Sequence, residues 1–391
     1  MHQVLRSVSM NSMAIDRRSV LLGTLSFAAA AGSGASFSLA AADAPQTAAF
    51  VAAARVEQGY AILTLARDGT ILRQIPLDAR GHDIAIDARS RRAVAFARRP
   101  GTFAIAFDLE QERAPVLFNA IQGRHFYGHG AFSADGRLLY VSENDIDAGQ
   151  GVIGIYDVAA GYKRIGEMPS HGVGPHEVML LDDRRTIAVA NGGIDTVPEA
   201  GRAMLNLEEM KPNLAFVDAQ SGDLLARHDL PSDLNRLSIR HIAADASGAV
   251  WFGGQWEGDL AETPELIGRA SRDKPLRLIE PDSALGLSLK GYIGSVAASG
   301  DGRIIAASAP KAGRIVYVVA ATGAVVAESA LPDGCGIAGE QEGVFAVSSG
   351  LGKFRHEQPA GETVDVGPRA PKILDERTLT GIAFDNHLRR V

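Results

Sequence analysis

Short apolar segments alternate with polar turns over most of the chain. In residues 127–142, YGHGAFSADGRLLYVS, two apolar runs flank the turn residues Asp135 and Gly136. This pattern predicts a β-hairpin, because glycine accepts a positive φ angle without steric cost. A third apolar segment follows at 152–160, and a fourth comes after it. The pattern therefore predicts an all-β protein built from four-stranded units.

Seven imperfect copies of the hairpin recur along the chain. They are residues 80–97, 127–142, 174–190, 239–254, 293–308, 333–348 and 379–386. Four strands per unit, at a period of roughly 40–50 residues, are typical of the blades of a β-propeller. We therefore predict that residues 43–391 form a single domain, a seven-bladed β-propeller.

The seventh copy is truncated, because the chain ends at Val391 after a single strand. Three apolar segments near the start of the domain, 47–56, 60–69 and 71–77, have no hairpin of their own. A blade built from both ends of the chain closes the ring and leaves no open sheet edge. This complementarity favours seven blades.

The amino terminus has the composition of an export signal. Arg17 and Arg18 precede a mildly apolar stretch, and small residues accumulate up to Ala42. A paired arginine before such a stretch, followed by an A-x-A cleavage site, indicates a twin-arginine signal. We therefore expect residues 1–42 to be a signal segment that directs the protein to the periplasm. The remainder of the chain has no apolar run long enough to span a bilayer.

Charge and cysteine content narrow the possible functions. The formal net charge of -7 argues against a nucleic-acid partner, since phosphate binding needs a basic face. A single cysteine, Cys335, cannot form an internal disulfide. The motifs of serine hydrolases, P-loop enzymes and zinc proteases are absent from the sequence.

Four copies carry a histidine six residues before the first turn residue. These are His82, His129, His176 and His241, and Ser295 and Cys335 occupy the same place in copies five and six. The first strand of each propeller blade lines the central channel, so equivalent side chains can converge on one axis. Imidazoles and a thiol in such a ring predict a transition-metal site for iron, copper or zinc.

Further side chains accompany this predicted ring. Glu143, Glu177 and Glu257 are candidates to bind the metal or to orient the imidazoles, and His125 and His171 to lie at its rim. The sequence leaves open a purely structural role, in which the histidines form hydrogen bonds between blades. We expect the other histidines at exposed turns or tails, namely His2, His228, His356 and His387.

Several long runs resemble the domain of unknown function 1513 family. They are residues 125–157, 169–177, 190–194, 237–241, 255–259, 291–296 and 332–336. This resemblance implies a propeller related to YVTN-type repeats and to the β-chain of quinoprotein amine dehydrogenase. Members are often encoded beside imelysin-like iron-uptake proteins and di-haem oxidoreductases. The resemblance thus implies such partners and a role in iron acquisition, but no catalytic residue.

Three functions are consistent with the sequence. The first is a periplasmic propeller that binds a transition metal, or a partner protein, at its channel mouth, with residues 192–212 forming part of the rim. The second is a metal-dependent oxidoreductase or lactonase-like hydrolase, with Glu143 or Glu177 as general base. The third is a non-catalytic interaction scaffold.

Overall fold

The structure is a computed structural model that describes residues 46–391, except 100, 202, 260, 280–287 and 360–367. The predicted signal segment, residues 1–42, lies outside the described residues. The described residues belong to one compact unit, Pro45–Val391. None of the helices among them has both the length and the apolar character needed to cross a membrane.

The described part of the chain begins with three strands of an incomplete blade and continues with complete four-stranded blades. The first three strands are β1 (Phe50–Val56), β2 (Gly59–Leu65) and β3 (Ile71–Leu77). Blade 1 consists of β4 (Gly81–Asp87), β5 (Arg92–Ala97), β6 (Phe103–Asp108) and β7 (Val116–Asn119). Blade 2 consists of β8 (Arg124–Phe132), β9 (Leu138–Asp145), β10 (Gln150–Asp157) and β11 (Lys163–Pro169). Blade 3 consists of β12 (Pro175–Leu180), β13 (Thr186–Asn191), β14 (Asn213–Asp218) and β15 (Leu224–Asp229).

Blades 4, 5 and 6 repeat this arrangement. Blade 4 consists of β16 (Leu237–Ala244), β17 (Val250–Trp256), β18 (Ile267–Ser271) and β19 (Lys274–Leu278). Blade 5 consists of β20 (Ser295–Ala298), β21 (Ile304–Ala309), β22 (Arg314–Val319) and β23 (Val325–Ala330). Blade 6 consists of β24 (Gly334–Gly339), β25 (Phe345–Ser349), β26 (Lys353–Gln358) and β27 (Lys372–Thr378). Short 3-10 helices lie in the connections at Pro198–Ala200, Leu207–Glu209, Ser232–Leu234, Pro310–Ala312 and Gln341–Gly343.

The last strand, β28 (Ala383–Arg390), completes the blade that the first three strands begin. The sheet order is β28-β1-β2-β3, with Phe50 opposite Arg390 and Ala54 opposite Phe384. We call this the closing blade. The predicted seven-bladed propeller, closed by pairing of the amino- and carboxy-terminal strands, is thus confirmed.

The hydrophobic core is divided among the contacts between blades. Seven clusters of buried residues in the described part of the chain each join two adjacent blades, and together they follow the whole ring. Phe216 and Phe252, for example, lie between blades 3 and 4, and Tyr317 and Phe345 between blades 5 and 6. Burial of this apolar surface is the main force that holds the blades around the axis.

Candidate metal centre

Five inner strands bring one histidine each to the axis of the propeller. They are His82 on β4, His129 on β8, His176 on β12, His241 on β16 and His387 on β28. All five are buried. The centroids of consecutive rings lie between 4.7 and 4.9 Å apart. We call this group the axial cluster.

Irregular strand pairing places these residues. In most inner strands the register shifts near the histidine, for example between Gly81 and Ile84 and between Phe126 and Gly130. A bulge of this kind removes a residue from the ladder and redirects its side chain. In blade 5, β20 pairs with β21 without such a shift, and Ser295 stands there in place of a histidine.

The absence of a side chain at Gly128 leaves room for the His82 ring. Its φ angle is +102°, and a Cβ atom there would lie 2.7 Å from Cδ2 of His82 on the neighbouring blade. A side chain at this position would therefore collide with the imidazole as well as strain the backbone.

The possible ligand atoms form three overlapping groups. Within each, one nitrogen or oxygen per residue lies within 4.8 Å of the others. The groups are His82, His129 and His176; His129, His241 and His387; and Asp83, His129 and Glu177. His129 belongs to all three, so it occupies the centre of the cluster. These groups could hold a metal ion.

Several imidazole nitrogens of the axial cluster have no hydrogen-bond partner. The Nε2 atoms of His129, His176 and His387 are all buried and unpartnered. Buried polar atoms are nearly always satisfied, so three orphans in one place require an explanation. A metal ion held by His82, His129 and His176, or by His129, His241 and His387, would give ring nitrogens of these residues a partner.

Carboxylates fix the orientation of two rings. Nδ1 of His129 lies 2.9 Å from Oδ2 of Asp83, and Nδ1 of His82 lies 3.3 Å from Oδ1 of Asp385. Because an ionised carboxylate only accepts, Nδ1 must donate, which leaves the lone pair on Nε2. Metal-binding histidines commonly use this arrangement.

Arg389 binds two carboxylates on one side of the axial cluster, and we call this the sealed side. Its Nη2 atom lies 2.6 Å from Asp83 and 2.7 Å from Glu177. Burial by itself would raise the pKa of Glu177, but the Arg389 charge and its other neighbours lower it to about 2. The same competition lowers the pKa of Asp83 well below its ordinary value. Both carboxylates are therefore ionised at neutral pH.

Burial keeps four imidazoles of the axial cluster uncharged. It lowers the pKa of His82 to about 3 and that of His241 to about 4. The pKa values of His176 and His387 also fall well below the ordinary value, for the same principal reason. Only the neutral imidazole binds a metal, so these rings are in the binding form at neutral pH.

Asp83, Glu177 and Arg389 follow the axial histidines of their strands, whereas Arg240 and Asn386 precede them. On this second side, away from Arg389, a narrow cavity of about 10 Å³ reaches His82, His176 and His241. A volume of about 10–15 Å³ holds one water-sized sphere. The rest of its lining is polar and largely cationic: Arg98, Arg99, Arg240, Tyr292 and Asn386. We call this the arginine mouth.

Comparison of the sequence with known protein families identifies the family of this chain. The sequence profile described as "Protein of unknown function (DUF1513)" matches residues 75–391. The chain belongs to the DUF1513 family. No curated protein sequence matches the DUF1513 chain.

The fold has relatives among solved structures. A chain of Kuenenia stuttgartiensis hydrazine synthase is similar, with a TM-score of 0.53 and 11% sequence identity. The match covers 74% of the DUF1513 chain and 86% of the other chain. At this identity the likeness shows the propeller fold alone.

The structure brings four predicted ligands of the DUF1513 chain together but leaves Cys335 outside the axial cluster. The Cys335 thiol lies 3.6 Å from the carbonyl oxygens of Ser348 and Phe384, in the hydrophobic contact between blade 6 and the closing blade. Burial raises its pKa, so it stays a neutral thiol. It packs as a small apolar side chain.

The three candidate carboxylates also differ in whether they reach the axial cluster. Glu177 lies against the axial cluster, its Oε2 atom 3.5 Å from Nδ1 of His241. Glu143 is instead bound by Tyr156 and Arg164 on the outer strands of blade 2. Glu257 pairs with Arg240 at 3.0 Å, behind the arginine mouth.

The two candidate rim histidines of the DUF1513 chain bond to backbone. Nε2 of His125 lies 2.7 Å from the Thr196 carbonyl, which joins blade 2 to the predicted rim segment 192–212. Nε2 of His171 lies 3.0 Å from the Gly222 carbonyl. Neither belongs to the metal-binding groups of the described residues.

Three expectations about the remaining histidines are wrong, because His228, His356 and His387 all lie within strands and none is exposed. His387 is buried in the axial cluster, and His356 is buried in blade 6, where it pairs with Asp375 and Glu340. His228 is half-buried, with Nε2 2.9 Å from the Ser271 carbonyl. His2 lies outside the described residues. A count from the hairpin turn could not find His387, because no turn follows β28.

Proposed function

We propose that the propeller binds a transition-metal ion at the axial cluster. The observation that carries the proposal is the convergence of buried histidines on His129, whose Nε2 atom, like those of His176 and His387, has no hydrogen-bond partner. A buried polar atom without a partner is costly, so these nitrogens favour a ligand that uses their lone pairs. A metal ion uses them.

The ligand set indicates which metals fit. Imidazole nitrogen suits zinc, copper and iron. Nitrogens of a four-coordinate ion bound at 2.0–2.1 Å are about 3.3 Å apart, and within each group the candidate atoms lie within 4.8 Å of one another. Small side-chain rotations toward His129 would therefore complete a three-histidine site.

A binding role is better supported than catalysis. Of the two suggested general bases, Glu177 accepts bonds from Arg389 and from the Ile242 amide. Glu143 is held by Tyr156 and Arg164, away from the axial cluster. A general base must reach the proton that it removes, and both carboxylates are committed to other partners. The oxidoreductase or hydrolase function is therefore our second candidate.

We further propose that the protein works in the periplasm with an iron-handling partner. The support is the sequence alone: the paired Arg17 and Arg18, and the resemblance that implies imelysin-like or di-haem partners. Replacement of both arginines by lysine should retain the protein in the cytoplasm. Export that is unchanged in this variant would contradict the twin-arginine route.

Elemental analysis tests the metal proposal. Protein purified from the periplasm, or reconstituted with iron, copper or zinc, should retain one metal ion per chain after gel filtration. The variant His129→Ala/His176→Ala should retain none, since it removes the shared ligand and a neighbour. The control is His228→Ala, which removes a half-buried histidine from an outer strand. Absence of bound metal in the wild-type protein after reconstitution would leave only the scaffold function.

A further inference from the structure

The arginine mouth has a different chemistry from the opposite side of the axial cluster. On the sealed side, Arg389 is bound to Asp83 and Glu177. On the other side, the cavity that reaches three of the imidazoles is lined by Arg98, Arg99 and Arg240. Lys311 adds charge nearby, with Nζ 5.3 Å from the centre of the Tyr292 ring.

The ion pairs that surround the axial cluster balance before any metal is added. These pairs join four guanidinium groups to four carboxylates: Arg80, Arg98, Arg240 and Arg389, and Asp83, Glu177, Glu257 and Asp385. Arg99 also lines the arginine mouth and is not counted in this balance. A divalent cation bound to neutral imidazoles therefore adds two uncompensated positive charges to a buried site. Uncompensated buried charge is costly, so the loaded site favours an anion as an additional ligand.

Geometry limits how that anion can bind. The cavity of about 10 Å³ admits one donor atom beside His82, His176 and His241, and the rest of the ligand must lie outward among the arginines. A guanidinium carries five N–H donors in a fork that matches a carboxylate. The bond of Arg98 Nη1 to Asp385, at 3.0 Å, therefore does not exhaust its donors.

We propose that the metal-loaded site takes a small carboxylate anion through the arginine mouth. One carboxylate oxygen binds the metal, and the other faces the guanidinium groups of Arg98 and Arg240. This inference rests on the proposed metal site and names the ligand class that completes it. The converging positive charge also raises the local concentration of anions at the mouth.

Cobalt(II) provides the test, because its visible spectrum reports both metal binding and a change of ligand. Wild-type protein loaded with cobalt is titrated with formate, the smallest carboxylate. The spectrum should change with a saturable dependence on formate. Metal-free protein should bind formate more weakly in calorimetry.

The variant Arg240→Gln/Glu257→Gln removes an ion pair of the arginine mouth without leaving an unpaired charge. It should weaken formate binding roughly tenfold, the effect of losing one charge-assisted hydrogen bond. The control Arg314→Gln/Glu328→Gln removes an ion pair of outer strands in blade 5 and should leave formate binding unchanged. If the first variant fails to bind cobalt, Arg240→Lys takes its place. Lysine keeps the positive charge but lacks the forked N–H donors of the guanidinium group.

The outcomes separate the two proposals. Failure of the wild-type protein to bind cobalt overturns the metal site itself. Cobalt binding without a response to formate overturns the carboxylate proposal alone. A response that the Arg240 variants leave unchanged also overturns it, since the mouth would then play no part.

Discussion

The Asp83 carboxylate lies 2.9 Å from Nδ1 of His129 and also binds Arg389, so one residue of blade 1 links the central imidazole to the closing blade. This contact determines which nitrogen of His129 carries the proton. Loss of such an orienting carboxylate typically reduces metal affinity 10–100-fold.

We therefore predict that Asp83→Asn weakens metal binding by roughly 10–100-fold, measured by competition with a chelator. The control is Glu143→Gln, which alters an equally buried carboxylate away from the axial cluster. It should leave the metal affinity unchanged. Equal affinities for all three proteins would remove Asp83 from the metal site.

His387 provides a second test, because it extends the site beyond the four histidines of the regular repeat. His387→Gln should lower metal affinity at least roughly tenfold, since a direct ligand matters no less than the group that orients it. His125→Gln is the matched control: His125 is also buried, but both of its ring nitrogens lie near backbone carbonyls. Isothermal titration of the metal-free variants distinguishes the two. A larger loss in His125→Gln would contradict the proposed ligand set.

Gly128→Ala tests the close approach of blades 1 and 2. The substitution strains a residue with φ of +102° and places a Cβ atom 2.7 Å from the His82 ring. Gly248→Ala shares the positive φ, +80°, but its Cβ atom has no neighbour within 4 Å. We expect Gly248→Ala to lower the free energy of unfolding by about 1 kcal/mol. Gly128→Ala should cost about 1–3 kcal/mol more and also weaken metal binding.

Urea unfolding measures the cost, and chelator competition measures the metal affinity. Equal destabilisation by the two substitutions would show that backbone strain, and not the His82 ring, constrains position 128.

His356 makes stability depend on pH, independently of the axial cluster. Burial acts to lower its pKa, but ion pairs with Glu340 and Asp375 outweigh this and raise the pKa above 6.5. The folded state therefore holds a proton that the unfolded state releases first. The resulting stabilisation is complete below pH 6.5 and is lost as the pH rises through the raised pKa.

The free energy of unfolding should accordingly fall with rising pH in the wild-type protein, and fall less steeply in His356→Gln. Urea unfolding at a series of pH values tests this. Parallel profiles for the two proteins would contradict the role of His356.

The architecture could be predicted from the sequence because each blade repeats a hairpin signal, and because residues 47–77 and 379–391 complement each other. Four axial histidines were predictable for the same reason. In the seventh copy the anchor lies just beyond the predicted bounds, residues 379–386. The structural equivalent is His387, and no hairpin turn follows it from which to count.

The surroundings of the imidazoles were beyond the reach of sequence reasoning. Asp83 and Arg389 are far apart in the chain and meet only when the ring closes. The position of Cys335 depends on the bulge of its strand, where the register shifts between Gly334 and Ile337. Repeat spacing identifies equivalent positions, but a bulge decides where the side chain at that position points.

Ring closure also sets the time at which the axial cluster can exist. His387 stands four residues from the carboxy terminus, on a strand that pairs with β1 near the start of the domain. Until β28 is in place, blades 1 to 4 supply only four of the five imidazoles. The fifth joins them only when β28 pairs with β1, so the closed ring and the complete axial cluster form in the same step.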